Sequence, residues 1–213
     1  MLRVLLLYPE RERCKVLTAF EELPEDLKPD TRITLVSCRG RPEGPKTVVS
    51  GGTAVVTLPA RGDLTQVKLS LAHELAHVLQ AERGVLPGDR VPPLRALSLP
   101  IESGAEELVL KTIPGSIDRR IEMGLELVRR MSPRDFLTDL ERSLVLEPVR
   151  MAAERLGVRA EVPEVEPVRR SARRVKEELV RAAEEVDPWD PLAVRRYVED
   201  ALAAVNSALR RVS

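Results

Sequence analysis

The sequence predicts an α+β fold: a small mixed sheet with one buried helix comes first, and an all-helical part ending in a helical hairpin follows. Three observations predict it. Up to Leu58, apart from one helical segment after Pro9, the apolar residues fall in short runs rich in Val, Ile and Thr, separated by Gly and Pro clusters. From Asp63 onward they recur instead at helical spacing. After the proline-bearing stretch Glu161 to Pro167, two narrow stripes of Ala, Val and Leu flank a Pro-Trp-Asp-Pro turn. The chain is therefore divided into residues 1–160, which carry the sheet and the buried helix, and a helical hairpin at 161–213.

Leu2 to Leu7 is apolar without alternation, which suits a strand covered on both faces at the centre of the sheet. Pro9 opens a helix with Cys14, Leu17 and Phe20 on one side, and Cys14 and Cys38 are expected as buried free thiols. Thr31 to Cys38 is the second strand. Beyond the loop Arg39 to Lys46, the runs Thr47 to Ser50 and Thr53 to Leu58 flank Gly51-Gly52, whose tolerance of positive φ marks a tight hairpin. Asp63 then caps a helix in which Leu64, Val67, Leu71, Leu75 and Val78 form a broad apolar stripe, so the helix is largely buried until Gly84 stops it. Val85 to Pro100 is dense in proline and is read mainly as a crossing loop, with helix resuming from Ile101 to Ile113.

Ser116 is placed as the cap of a helix carrying Ile117, Ile121, Leu125 and Val128. Ser132-Pro133 is read as cap and first-turn proline of the next, lined by Phe136, Leu137, Leu140 and Leu144. Pro148 either kinks that helix or begins another ending at Gly157. In the hairpin, Val168, Ala172, Val175, Leu179, Ala183 and Val186 face Val194, Val198, Ala201, Val205 and Leu209. Seams this small bury little apolar area alone, so the hairpin is expected to dock on the first part, with pairing to a second subunit or cover over a cleft as the other outcomes.

Lys and Arg total 34, matching 34 Asp and Glu, so no net positive charge argues for nucleic acid. The runs Arg169-Arg170 and Arg173-Arg174 are read as solvated faces. No apolar run reaches the length of a membrane span or a signal-peptide core, which gives the expectation of a soluble, cytoplasmic protein. One asparagine, two glutamines, 17 prolines and 32% charged residues fit either a thermophile's protein or a GC-rich genome.

His73-Glu74-Leu75-Ala76-His77 contains the only two histidines in the chain. Four residues apart on a helix, their imidazoles project from one face and can hold one metal ion, with Glu74 beside it. Imidazole donors with an open position favour Zn²⁺, which activates water, and the carboxylate handles the proton. A structural zinc site closed by cysteines is disfavoured, because neither Cys14 nor Cys38 has a CxxC partner. With no histidine left, the third ligand must be a carboxylate.

His73-Glu74-Leu75-Ala76-His77 followed by Glu102-Ser103-Gly104-Ala105-Glu106 resembles the gluzincin metallopeptidases, and the short Glu-x-x-Ala-acid segment resembles their minimal members and the ImmA/IrrE type. The resemblance covers Thr47 to Pro114. It implies a zincin-like sheet and active-site helix, zinc on His73, His77 and Glu102, Glu106 orienting His73, and Glu74 as general base in peptide hydrolysis. Glu107 and Asp118 remain alternatives for the third ligand. It also implies an edge strand for an extended peptide substrate, for which Thr53 to Leu58 is the natural choice. The oxyanion group falls among Tyr8, Tyr197, Arg119 and Arg120. The alternative reading is a regulatory or interaction protein of the ImmA/IrrE type, with narrow or no proteolysis and a C-terminal hairpin that inhibits it.

Overall fold

The computed structural model describes residues 4–7, 10–37, 46–58, 62–87 and 90–212, with 4–7 and 10–11 by backbone alone. Its first part is a four-stranded mixed sheet with helices packed against it. The strands are β1 (Val4–Leu7), β2 (Arg32–Ser37), β3 (Lys46–Ser50) and β4 (Thr53–Leu58), in the order β1-β2-β4-β3. β1, β2 and β4 run parallel, and β3 pairs antiparallel with β4. Gly51 and Gly52, at φ +55° and +73°, close the β3–β4 hairpin as their sequence predicts.

This order corrects two expectations. β1 lies at one edge of the described sheet, not at its centre. A four-residue apolar run has no alternation by which burial on two faces can be told from a place at the margin. The opposite edge is β3, because the hairpin joins the sheet through its second strand: β4 inserts between β3 and β2, with Val56 opposite both Leu35 and Thr47. Thr53–Leu58 is thus an inner strand, and the edge beside the motif helix belongs to Lys46–Ser50.

The inward positions of β2 and β4, namely Ile33, Leu35, Ala54, Val56 and Leu58, are fully buried against α2 (Leu64–Glu82) and its neighbour α1 (Glu10–Glu21). Asp63 caps α2 as expected, accepting from the Gln66 amide at 2.7 Å. The buried side of α1 is Val16, Ala19 and Phe20, continued by Leu23, while Cys14 and Leu17 are exposed. Phe20 is buried as expected, while Val16 and Ala19 take the inward places expected of Cys14 and Leu17. Cys14 is consequently an exposed free thiol, and Cys38 lies outside the described residues.

The remaining helices are α3 (Arg95–Thr112), α4 (Ile117–Arg130), α5 (Phe136–Ser143), α6 (Glu147–Arg155), α7 (Arg170–Glu184) and α8 (Pro191–Val212). α3 packs on α2, α6, α7 and α8 and is the axis of the helical part. It starts six residues earlier than its proline content suggests, with Pro100 inside it. Proline lacks the N–H that would bond the carbonyl four residues back, which here is Ala96 O. The buried Tyr197 hydroxyl, from α8, donates to that oxygen at 2.9 Å. The start of α3 is capped from a distance as well: the Glu141 carboxylate accepts from the Arg95 and Ala96 amides at 2.8 and 3.1 Å.

α5 serves α7 in the same way, through fully buried Asp139, which accepts from the Val168 and Arg169 amides at 3.0 and 2.7 Å. α5 itself begins at Phe136, after an Asp135–Thr138 capping box, rather than at Ser132-Pro133. Asp135 satisfies the Thr138 amide directly, which leaves Ser132 and Pro133 in the connection. Pro148 begins α6. The hairpin of α7 and α8 docks on α3 and α5 through Ala172, Val175, Leu179, Tyr197 and Ala201. None of the described helices is long and apolar enough to cross a membrane.

Candidate metal centre

The second half of α2 and the middle of α3 bring three donor atoms together. His73 Nε2 lies 3.0 Å from Glu102 Oε2 and 3.2 Å from His77 Nε2, and His77 Nε2 lies 3.7 Å from the same Glu102 oxygen. Bond lengths near 2.0–2.1 Å around a tetrahedral ion place its ligand atoms about 3.3 Å apart, and these three distances bracket that edge. Among the described residues this is the one group of three His, Cys, Asp or Glu side chains close enough to share a cation. Neither Glu107 nor Asp118 belongs to it. Glu107 instead faces Arg155 on α6, at 4.0 Å.

Glu106, one turn beyond Glu102, puts Oε1 3.1 Å from His73 Nδ1. Arg120 from α4 grips that carboxylate with two nitrogens, Nε donating to Oε2 at 2.7 Å and Nη2 to Oε1. Burial disfavours charge on His73. The facing Glu106, with hydrogen bonds to Glu102 and Glu106, outweighs it and the like charge of Arg120, pushing the imidazole up to about 10. Burial likewise opposes the carboxylates. Yet the hydrogen bond from His73, with the two imidazoles facing it, holds Glu102 well below the usual range, and Arg120 with His73 pulls Glu106 down to about 2. The two acids therefore stay ionised, and the place where the three donors converge favours positive charge. A divalent cation fits both this charge and the donor set.

Glu74 is buried and held from the edge strand. Thr47 Oγ1 donates to its Oε2 at 2.6 Å and lies 3.1 Å from its backbone carbonyl. On the far side of His77, Nδ1 lies 2.8 Å from Gln80 Oε1, and Gln80 Nε2 donates to Ile101 O at 2.7 Å. Thr47, Gln80 and Arg120 as the partner of Glu106 are the residues that sequence reasoning missed. A threonine at an inward position of a strand and a glutamine on a buried helix face are the only signals each left.

Of the oxyanion candidates, Tyr197 is committed to Ala96 O and Arg120 to Glu106. Arg119 pairs with Asp63 at 2.7 Å and with Glu122. Tyr8 lies outside the described residues. Comparison with known proteins returns no match: no family model, no curated protein and no solved structure is similar to this chain.

Proposed function

We propose that the chain is a zinc-dependent hydrolase of peptide bonds, with His73, His77 and Glu102 as the metal ligands and a peptide or protein as substrate. The observation that carries the reading is the convergence of those three donors beside a buried, oriented Glu74. The resemblance of His73–His77 and Glu102–Glu106 to the gluzincin pattern supports it. Zinc in such a setting polarises a carbonyl and lowers the pKa of water. The protein's own share is the proton. Thr47 holds Oε2 of Glu74, so Oε1 is the oxygen that takes a proton from the attacking water and returns it to the departing amine as the C–N bond breaks. Glu106 and Arg120 keep His73 oriented while this happens.

Replacing Glu74 with Gln keeps the shape and the Thr47 contact and removes the base. Cleavage of a panel of unfolded proteins should fall by about 10²–10⁴-fold while zinc stays bound. Hydrolysis that survives the change contradicts the assignment.

One observation favours a narrower reading. The three described candidates for steadying an oxyanion are all engaged elsewhere. A regulatory protein that cuts a single partner, with that partner completing the site, accounts for this. The same panel separates the two, since a general peptidase cleaves many unfolded chains and a regulator leaves them intact.

A further inference from the structure

Gln80 is fully buried between the helices that carry the metal donors, and its two hydrogen bonds determine which way its amide faces. Ile101 O is a carbonyl and can only accept, so the nitrogen 2.7 Å away is the Gln80 NH₂ group, donating. The amide oxygen is then the atom 2.8 Å from His77 Nδ1. Oxygen can only accept there, so Nδ1 carries hydrogen. A neutral imidazole has one N–H, and Nε2, which faces His73 and Glu102, therefore keeps its lone pair.

We propose that Gln80 is a positioning residue: it fixes His77 in the Nδ1–H tautomer and so presents Nε2 as a ready metal ligand. The inference rests on the metal reading for its purpose, though not for its geometry. His73 is oriented differently, by the ionised pair of Glu106 and Arg120, so the two histidines of one motif are set by unlike devices. Gln80 also ties His77 on α2 to the residue just before Glu102 on α3, linking two ligands through one side chain.

The turn of the C-terminal hairpin approaches the same point of α3 as this amide. Gly104 on α3 leaves room that both sides use: a Cβ there would stand 3.0 Å from Gln80 Nε2 and 2.7 Å from Pro188 Cβ in the turn between α7 and α8. Next to Pro188, the Trp189 ring lies 4.5 Å from the Arg83 guanidinium at the end of α2. Fully buried, Gln80 has no exposed surface through which water could take over its hydrogen bonds.

Nitrogen NMR of the full-length, metal-free chain reads the tautomer directly, because only two imidazoles contribute. In the wild type, His77 should show a protonated Nδ1 and an unprotonated Nε2. Gln80→Met, of similar length but with no hydrogen-bonding group, should lose that preference. Gln80→Glu, which still accepts from Nδ1, should keep it. Zinc affinity, measured by competition with a chromophoric chelator, should fall about 10–100-fold in Gln80→Met and recover most of that loss in Gln80→Glu. A residue that served only packing would give the reverse ranking, since Glu buries a charge against the Ile101 carbonyl. Protonated Nε2 in the wild type, which needs no variant to detect, overturns the proposal, as does equal zinc affinity in wild type and Gln80→Met. Failure of the wild type to bind zinc would instead remove the metal reading and leave the tautomer result standing.

Discussion

Arg120 and Glu106 form a pair in which neither partner is affordable alone. Both are largely buried, and the guanidinium meets the carboxylate with two nitrogens while His73 takes the remaining side. Breaking such a pair from one end strands an uncompensated charge, which typically costs about 3–5 kcal/mol. Arg120→Met should therefore lower the unfolding free energy by that order in urea titration, and it should free His73 to rotate. A loss under about 1 kcal/mol, the range of exposed pairs, would mean that Glu106 is solvated. The sequence told part of this. Glu102 and Glu106 stand four residues apart, and helical geometry alone puts them on one face toward the motif. Arg120, Thr47 and Gln80 were not legible as partners. Arg120 and Thr47 reach their carboxylates from other elements, and a hydrogen bond across 14 or 27 residues leaves no periodic trace.

At the scale of elements, α3 shows why proline counting misplaced a helix. Pro87-Gly88, Pro92-Pro93 and Pro100 read as a loop as far as Ile101, yet the helix begins at Arg95. Its start is capped by Glu141 and its proline gap is filled by Tyr197, 46 and 101 residues along the chain. Tertiary contacts supply what the local sequence lacks. Tyr197→Phe would leave Ala96 O unpaired in the interior, which costs about 1–3 kcal/mol. Burial, with a smaller contribution from Glu141, also pushes the Tyr197 phenol well above its ordinary value near 10. The sign follows from linkage: the folded state keeps this proton where the unfolded chain gives it up. The stabilisation is complete below about pH 10 and drains away above it, by about 1.4 kcal/mol per pH unit. Unfolding titrations of the two proteins from pH 9 to 11 should show the wild-type advantage shrinking as pH rises. An advantage constant with pH would place the hydroxyl in water.

Across the whole molecule, the α+β division was legible because the last strand-like run ends at Leu58 and the apolar residues from Asp63 onward recur at helical spacing. Strand order was not, since a hairpin's sequence does not say which of its strands meets the rest of the sheet. The order matters to the site: with β3 outermost, Thr47 on the sheet edge reaches Glu74, while α2 and α3 hold the three donors that could share a metal ion. The helical part closes behind them. α5 caps α3 and α7 with Glu141 and Asp139, Arg155 on α6 donates to Ser103 on α3 and to the carbonyls of Ala183 and Val186, and the hairpin turn packs on Gly104. Sheet, ligand helices and hairpin thus converge on one cluster of donors.

The central claim is that His73, His77 and Glu102 hold one metal ion together, and zinc titration of the metal-free protein beside its Glu102→Ala variant tests it most directly. The account predicts one zinc per wild-type chain and binding weaker by at least about 100-fold without the carboxylate. A wild type that takes up no zinc, or a variant that binds it as tightly, would contradict it.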